Sequence, residues 1–448
     1  MRLKSGTMVW MLWFFLPLLC TSAPSFAQRW EQVDPGEIPT VRMLNDVWVG
    51  ASISDGRVDL RIFSVGEEGT ILSSDGEIWE EQESGTIQDL NGVWGISPEN
   101  VFAVGNAGVT IHFDGDTWEE QESGPPRDLN DVWGDPTGQA IVAVGDSGTI
   151  LSFDGDTWVE MGNNNHWDLN GIWGFSPRDI FAVGVNGTIL HFDGEAWKEQ
   201  ESGTITIQNL NSVWGTSSDN VYAVGDEGTI LRYDGNTWTD ASGNLSSIAA
   251  LNSVWGTSPC NIYAVGESSS LVGTILHFDG SSWSVQDSLV SVFSDSDVID
   301  PLKGIHGASI RNIYAVGKEG FVMSFDPQDD AFPAVCSTSP AHGSEGVAVD
   351  ADISAVFSAV MDPATVTGDT FTLVAGSDTV EGTVFYSDNT AVFDPDGNLA
   401  YATTYTATLS ANVKDNLGVP LENDFRWTFT TQNEPTDKDG SCFISVAR

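Results

Sequence analysis

Seven times the chain repeats one unit, LNxVWG followed by NVxAVGxxGTILxFDGxxW, starting at Leu44, Leu90, Leu129, Leu169, Leu210, Leu251 and, in degenerate form, Leu302. A period of about 43 residues marks a supersecondary unit that buries its apolar face only on its neighbouring copies. Within a unit, four short β-rich runs alternate with turn residues, as at 210–215, 220–225, 228–233 and 237–241. The third and fourth runs are joined by Asp-Gly at Asp75-Gly76, Asp114-Gly115, Asp154-Gly155, Asp193-Gly194, Asp234-Gly235 and Asp279-Gly280. That pair favours the positive φ values of a two-residue hairpin turn. Glycines around the preceding loop, such as Gly225 and Gly228, read as a tight turn between runs two and three. Four-stranded antiparallel units set radially make a β-propeller, so an all-β fold with seven blades is expected over residues 28–332.

The tryptophans check the count. Six fall in first runs (Trp48, Trp94, Trp133, Trp173, Trp214, Trp255) and six in fourth runs (Trp79, Trp118, Trp158, Trp197, Trp238, Trp283). Trp10 and Trp13 precede the repeats and Trp427 follows them, which leaves Trp30 and Trp167. The seventh unit stops at Phe325-Asp326, with no Gly after the Asp and no fourth-run Trp. Near the N-terminus, Trp30-Glu31-Gln32 matches Trp118-Glu119-Glu120-Gln121 in kind. An N-terminal strand that completes the last blade would remove an open sheet edge. The alternative is a degenerate fourth strand at Phe332, with Trp30 as a loose flank.

Residues 1–27 have the parts of a secretory signal: Arg2 and Lys4, an apolar run from Met8 to Leu19, and Ser25-Phe26-Ala27. Gln28 is therefore the expected mature N-terminus of an exported protein, extracellular, surface-attached or periplasmic. A lipoprotein signal would use Cys20, but Leu19 is bulkier than the residue such signals carry there. No later run reaches the ~18 apolar residues of a membrane span. Without Cys20, the cysteines are Cys260, Cys336 and Cys442. A bridge between Cys260 and Cys336 is open, with Cys442 left over, and no zinc-type spacing occurs.

Asp and Glu number 64 against 17 Lys and Arg, a net charge of −47. Nucleic acid and anionic membrane surfaces require a basic footprint, so this composition argues against both. A glycan or a basic protein surface would tolerate the acidity.

The repeats resemble bacterial propeller repeats grouped with the BNR, or Asp-box, and photosystem II assembly factor-like families. The residues that carry the likeness are LNGVWG at 90–95, VYAVGDEGTIL at 221–231, and FDGDTW at 113–118 and 153–158. An Asp-box has one residue between its Asp and Gly, whereas here the two are adjacent, which weakens any carry-over from glycosidases with Asp-boxes. After Cys336 the repeat ends, and short β runs follow at 353–357, 370–374, 382–386, 390–394, 404–409 and 425–430. FSAVMDPATV (357–366), LAYATTYTATLSANVKDNLGVPL (399–421) and WTFTT (427–431) resemble the Ig-like domain of S-layer proteins of the SbsA type. That resemblance implies a sandwich over 335–432 acting as a spacer or adhesion module with no catalytic residues. Residues 433–448 form a polar tail ending in Gly440-Ser441-Cys442-Phe443-Ile444, similar to the tails of some exported bacterial proteins.

Residues outside the repeat pattern are where function is expected. Trp167 is preceded by Asn163, Asn164, Asn165 and His166 and followed by Asp168, in a link between blades. His166, Trp167, Asp168 and Asn165 are thus the candidate ligand platform, the other reading being a Trp that caps its blade. The irregular insertion at 284–300 is the second such place. Glu67, Glu68, Asn106, Asp146, Asp226, Glu227 and Glu267, with Asp89, Asp128 and Asp168, are expected on one face. Converging carboxylates there would suit Ca²⁺, but no calcium-loop motif is present, so a solvated acidic rim is favoured and no cofactor or metal is expected. His112, His191 and His277 recur at one repeat position and diverge around the ring, and His306 reads as a packing substitution for a Trp. Tyr222, Tyr263 and Tyr314 read as core. No nucleophile, base and orienter remain together, so a non-enzymatic binding or interaction protein is expected. The rival is a carbohydrate-active hydrolase using paired acids in the central cleft.

Overall fold

In the computed structural model, residues 29–434 are described apart from 55–56, 125, 164–165, 201–204, 244, 246, 271, 287–300 and 327–331. Residues 1–27, read above as a secretory signal, lie outside the described residues, as do Gln28, Asn164, Asn165, most of the 284–300 insertion and the Cys442 tail. Seven four-stranded antiparallel sheets form the propeller, their innermost strands being Leu44–Ser54, Leu90–Ser97, Leu129–Gly134, Leu169–Ser176, Leu210–Ser217, Ile248–Ser258 and Leu302–Ser309. In the seventh sheet the outermost strand is Arg29–Gln32, paired with Val322–Asp326 so that Trp30 lies opposite Phe325. Trp30 is 1% exposed and meets Phe325 and Tyr263 edge-on, with ring centroids 5.3 and 5.9 Å apart. The strand Arg29–Gln32 therefore closes the ring, and Phe332 is outside the sheet.

Two turn assignments are corrected in their detail. The Asp-Gly connections span four residues rather than two, because Phe113 pairs with Trp118. Gly115 alone takes positive φ, +104°, while the Asp114 carboxylate accepts the N–H groups of Asp116 and Thr117 at 2.9 Å. The same carboxylate cap recurs at Asp75, Asp154, Asp193, Asp234 and Asp279. It is an Asx-type turn, which explains Asp as well as Gly. Between strands two and three, Gly228 supplies φ of +68°, but Gly225 has another task. A Cβ on Gly225 would sit 1.9 Å from the Asn209 carbonyl, so the link entering the blade leaves no room for a side chain.

Residues beyond the propeller form two facing sheets, one ordered Val335–Ser339, Ile353–Phe357, Thr390–Pro395, Gly382–Ser387 and the other Ser344–Val347, Phe425–Thr431, Thr404–Leu409, Phe371–Ala375, Asp378–Thr379. Phe357, Phe371, Phe393, Trp427 and Phe429 fill the space between them. This Ig-like sandwich docks on the propeller face that carries the hairpins between first and second strands. Cys260 in blade six is disulfide-bonded to Cys336. Beside it, Thr257 donates to the Ser358 carbonyl at 2.7 Å, and in blade seven Arg311 pairs with Asp415 at 2.8 Å. Asp415 is almost wholly buried, and removing a partner from a buried pair leaves an uncompensated charge. Cys260→Ser alone is thus expected to leave the domains docked, whereas Cys260→Ser with Arg311→Ala should increase the radius of gyration in small-angle X-ray scattering. An unchanged scattering curve for the double variant would place the docking energy elsewhere.

Candidate functional site

The central channel is built by the first strands, descending from the face that carries the inter-blade links. Asn45, Asn91, Asn130, Asn170, Asn211 and Asn252 each donate from Nδ2 to the backbone carbonyl of the next blade's leading Leu, at 2.6–2.9 Å. Lys303 holds the seventh position and breaks the series. One residue deeper the positions are Asp46, Gly92, Asp131, Gly171, Ser212, Ser253 and Gly304. Here Asp46 accepts the Val93 N–H and Asp131 the Ile172 N–H, both at 2.9 Å, and Ser212 and Ser253 take Val254 and Ile305 at 3.3 Å. The intervening glycines are steric necessities: a Cβ on Gly92 would lie 2.8 Å from the Asp131 Cα.

Below this layer aromatic rings close the channel. Trp94 meets Trp173 at 5.5 Å and His306 at 5.7 Å, although these residues belong to blades two, four and seven. Trp48, Trp133, Trp214 and Trp255 each lie against the glycine of the following blade (Gly95, Gly174, Gly256, Gly307), and Trp255 and Trp214 extend the aromatic layer, meeting His306 at 5.5 Å and Trp173 at 6.1 Å. His306 is therefore more than a packing substitute: its Nδ1 accepts the Val49 N–H at 3.0 Å, and burial lowers its pKa to about 3. It is neutral at ordinary pH and has no charge to lend to chemistry.

Asp46 and Asp131 line the channel deep inside the ring and keep only partial access to solvent. Burial pushes Asp46 up to about 7, against the N–H bonds from Val93 and Val47. Asp131 is raised well above the carboxylate range by burial and then by the charge of Asp46. Desolvated like charges disfavour double ionisation. Nothing in the repeat pattern singled these two out among 64 acids. The usable signal was positional, since Asp stands where other first strands carry Gly or Ser.

His166 and Trp167 are exposed, Trp167 to 55%, on the inter-blade face, and Asp168 is half-buried. The Asp168 carboxylate accepts the Ser147 N–H at 2.8 Å, just as Asp89 takes Glu68 at 2.9 Å and Asp128 takes Ala107 at 2.7 Å. Each caps the turn of the preceding blade, where Glu68, Ala107 and Ser147 have φ between 54° and 57°. Asp146 and Asp226 similarly accept from Asn130 and Asn211, and Glu267 lies within a strand. Asp89, Asp128 and Asp168 are thus separate backbone caps, and among the described residues no three His, Cys, Asp or Glu group as a metal site. His112 and His277 bond Asn100 and Asn261 at 2.8 Å, His191 bonds Asp179 at 2.6 Å, and all three rings stack on second-strand aromatics. Tyr222, Tyr263 and Tyr314 are buried. A polar cleft of about 380 Å³ lies between blade five and the Ig-like domain, lined by Arg232, Asp219 and Asp388 among others.

The propeller is similar in fold to YCF48. The solved structure of YCF48 bound to D1 peptide superposes with a TM-score of 0.51 at 17% identity, covering 68% of this chain and 99% of that one. YCF48 from Cyanidioschyzon merolae gives 0.51 at 16% identity, covering 67% and 99%. Residues 329–431 match the bacterial Ig-like domain family. No curated protein matches the chain. Among the described residues no helix is long and apolar enough to cross a membrane.

Proposed function

We propose that this is an exported, non-enzymatic interaction protein, in which the propeller face bearing the inter-blade links receives a polypeptide partner and the Ig-like domain acts as a spacer behind it. The observation that carries the reading is the division of the two faces. The Ig-like domain is fixed to the hairpin face through Cys260, Thr257 and Arg311, so the opposite face points away from it. A YCF48 structure with a bound peptide supplies a precedent for a polypeptide on such a propeller.

One observation favours a second reading. Asp46 and Asp131 are a carboxylate pair with elevated pKa values, as a glycoside hydrolase would use. Against it, each spends oxygen on N–H bonds from its own and the next blade, and the Trp94–Trp173–His306 contact closes the channel beneath them. Incubation of the purified protein with a panel of glycans and aryl glycosides is expected to give no turnover. Turnover abolished by Asp46→Asn or Asp131→Asn would replace the interaction reading with the hydrolase.

A further inference from the structure

Three inter-blade links carry the same short motif, Thr40-Val41-Arg42, Thr86-Ile87-Gln88 and Thr206-Ile207-Gln208, each placed identically before its blade's leading Leu. In all three, the Thr Oγ1 accepts the N–H of the residue two places on, at 3.0–3.1 Å. This side-chain turn holds the intervening aliphatic residue at its apex. Val41, Ile87 and Ile207 are 83%, 84% and 76% exposed, among the most exposed large apolar residues of the described chain. The links are strapped down on both sides of the apex. A Cβ on Gly69, Gly187 or Gly320 would strike the carbonyl of Thr86, Thr206 or Thr40, and the Met43, Asp89 and Asn209 carbonyls accept N–H groups from their own blades' turns. The exposure is therefore built into a hydrogen-bonded scaffold. Pro126 and Trp167, in the links before blades three and four, are exposed as well, so the apolar points form an arc over blades one to five. The arc ends at blade six, where Ile248 in the corresponding place is 5% exposed.

Acidic groups surround this arc. Glu67, Glu68, Glu227 and Glu319 lie in the turns beside it, and the molecule carries a net charge of −47. Arg42 and Arg127, the cations of these links, are already paired with Glu68 and Glu160. The Val41, Ile87 and Ile207 apices lack the flat ring faces and donors that sugars need, Trp167 being the single exposed ring of the arc, and a second copy of the chain would bring the same charge. Deepening the proposed function and resting on it, we infer that the Val41–Ile87–Ile207 arc is the docking surface for an extended polypeptide segment that combines aliphatic with Lys or Arg side chains. Burial of apolar points at the centre of an acidic rim gives such a segment both affinity and orientation.

The test uses three synthetic twelve-residue peptides, alternating Lys-Val, Lys-Ser and Glu-Val, labelled for fluorescence anisotropy against the full chain at two salt concentrations. Lys-Val should bind more tightly than Lys-Ser, keep more of its affinity at high salt, and exceed Glu-Val by a wide margin. The triple variant V41S/I87S/I207S, which keeps the Thr turns, should weaken Lys-Val binding by roughly tenfold or more while leaving Lys-Ser unchanged. The single variants I87S and I207S serve if the triple variant fails to fold, with a smaller loss expected from each. Lys-Val binding that persists undiminished in these variants would overturn the arc and leave a polypeptide partner standing. Absence of binding by any of the three peptides would overturn both.

Discussion

Replacing Trp30 with alanine is expected to cost about 3–5 kcal/mol in chemical denaturation, as large as any single core truncation in the molecule. The ring is 1% exposed and packs on Phe325 within its own blade and on Tyr263 in blade six. Its removal leaves a cavity at the one place where the sheet is made from the two ends of the propeller sequence. Trp118 is the comparison: it has the same role in blade two, but its strand is continuous with the blade through a hairpin. Trp118→Ala should cost a similar amount of packing while keeping the ring closed. The Trp30 variant should in addition show faster amide hydrogen exchange in the strands Val322–Asp326 and Asn312–Gly317, because an uncovered edge opens locally. A loss below about 1 kcal/mol, with exchange unchanged, would mean that the N-terminal strand is dispensable to closure.

The second large effect lies in the channel and is a gain. Asp46, held at about 7 by burial, binds a proton in the folded state between about pH 4 and 7 that the unfolded chain has released. Its contribution to stability therefore declines as pH rises through that window and stays unfavourable above it. A displacement of this size corresponds to at most about 4 kcal/mol, lessened by what solvent enters the channel. Asp131 adds in the same direction. Asp46→Asn with Asp131→Asn keeps an oxygen for the Val93 and Ile172 N–H groups and removes the charge. The double variant should be more stable than the parent at pH 8 by on the order of 2–4 kcal/mol, with the difference vanishing near pH 4.

The parent's own pH profile does not isolate this effect. His277 and His306, lowered by burial to about 4 and about 3, withhold protons that the unfolded chain binds, so they subtract stability as pH falls below the ordinary histidine range. The hairpin carboxylates Asp114, Asp154 and Asp234, lowered by N–H bonds from Thr117, Thr157 and Thr237, lose theirs in stronger acid. These groups are common to both proteins, so the difference curve from urea denaturation at each pH reports the channel pair. A difference absent at pH 8, or constant from pH 8 to 4, would show that the two carboxylates are solvated in the channel.

Blade number, blade order and ring closure were legible in the sequence because each depends on local chemistry that repeats. Strand alternation, Asp-Gly turns and one Trp per outer strand recur at fixed spacing, and the missing Trp of the seventh unit pointed to Trp30. Six strands of the Ig-like domain read equally well, while Val335–Ser339, Ser344–Val347 and the two-residue strand Asp378–Thr379, which lie at sheet edges with mostly exposed side chains, escaped notice. What a local pattern leaves open is the surroundings of a side chain after distant blades come together. Asp46 and Asp131 differ from other acids only because the ring sets them in one channel, and the same ring brings Trp94 of blade two against Trp173 of blade four across the axis. Val41, Ile87 and Ile207 look in sequence like ordinary core residues. They are left in solvent because the Thr hydroxyls hold a turn inside each link and the Met43, Asp89 and Asn209 carbonyls are committed to the turns of their own blades, a constraint that exists only once each blade has folded.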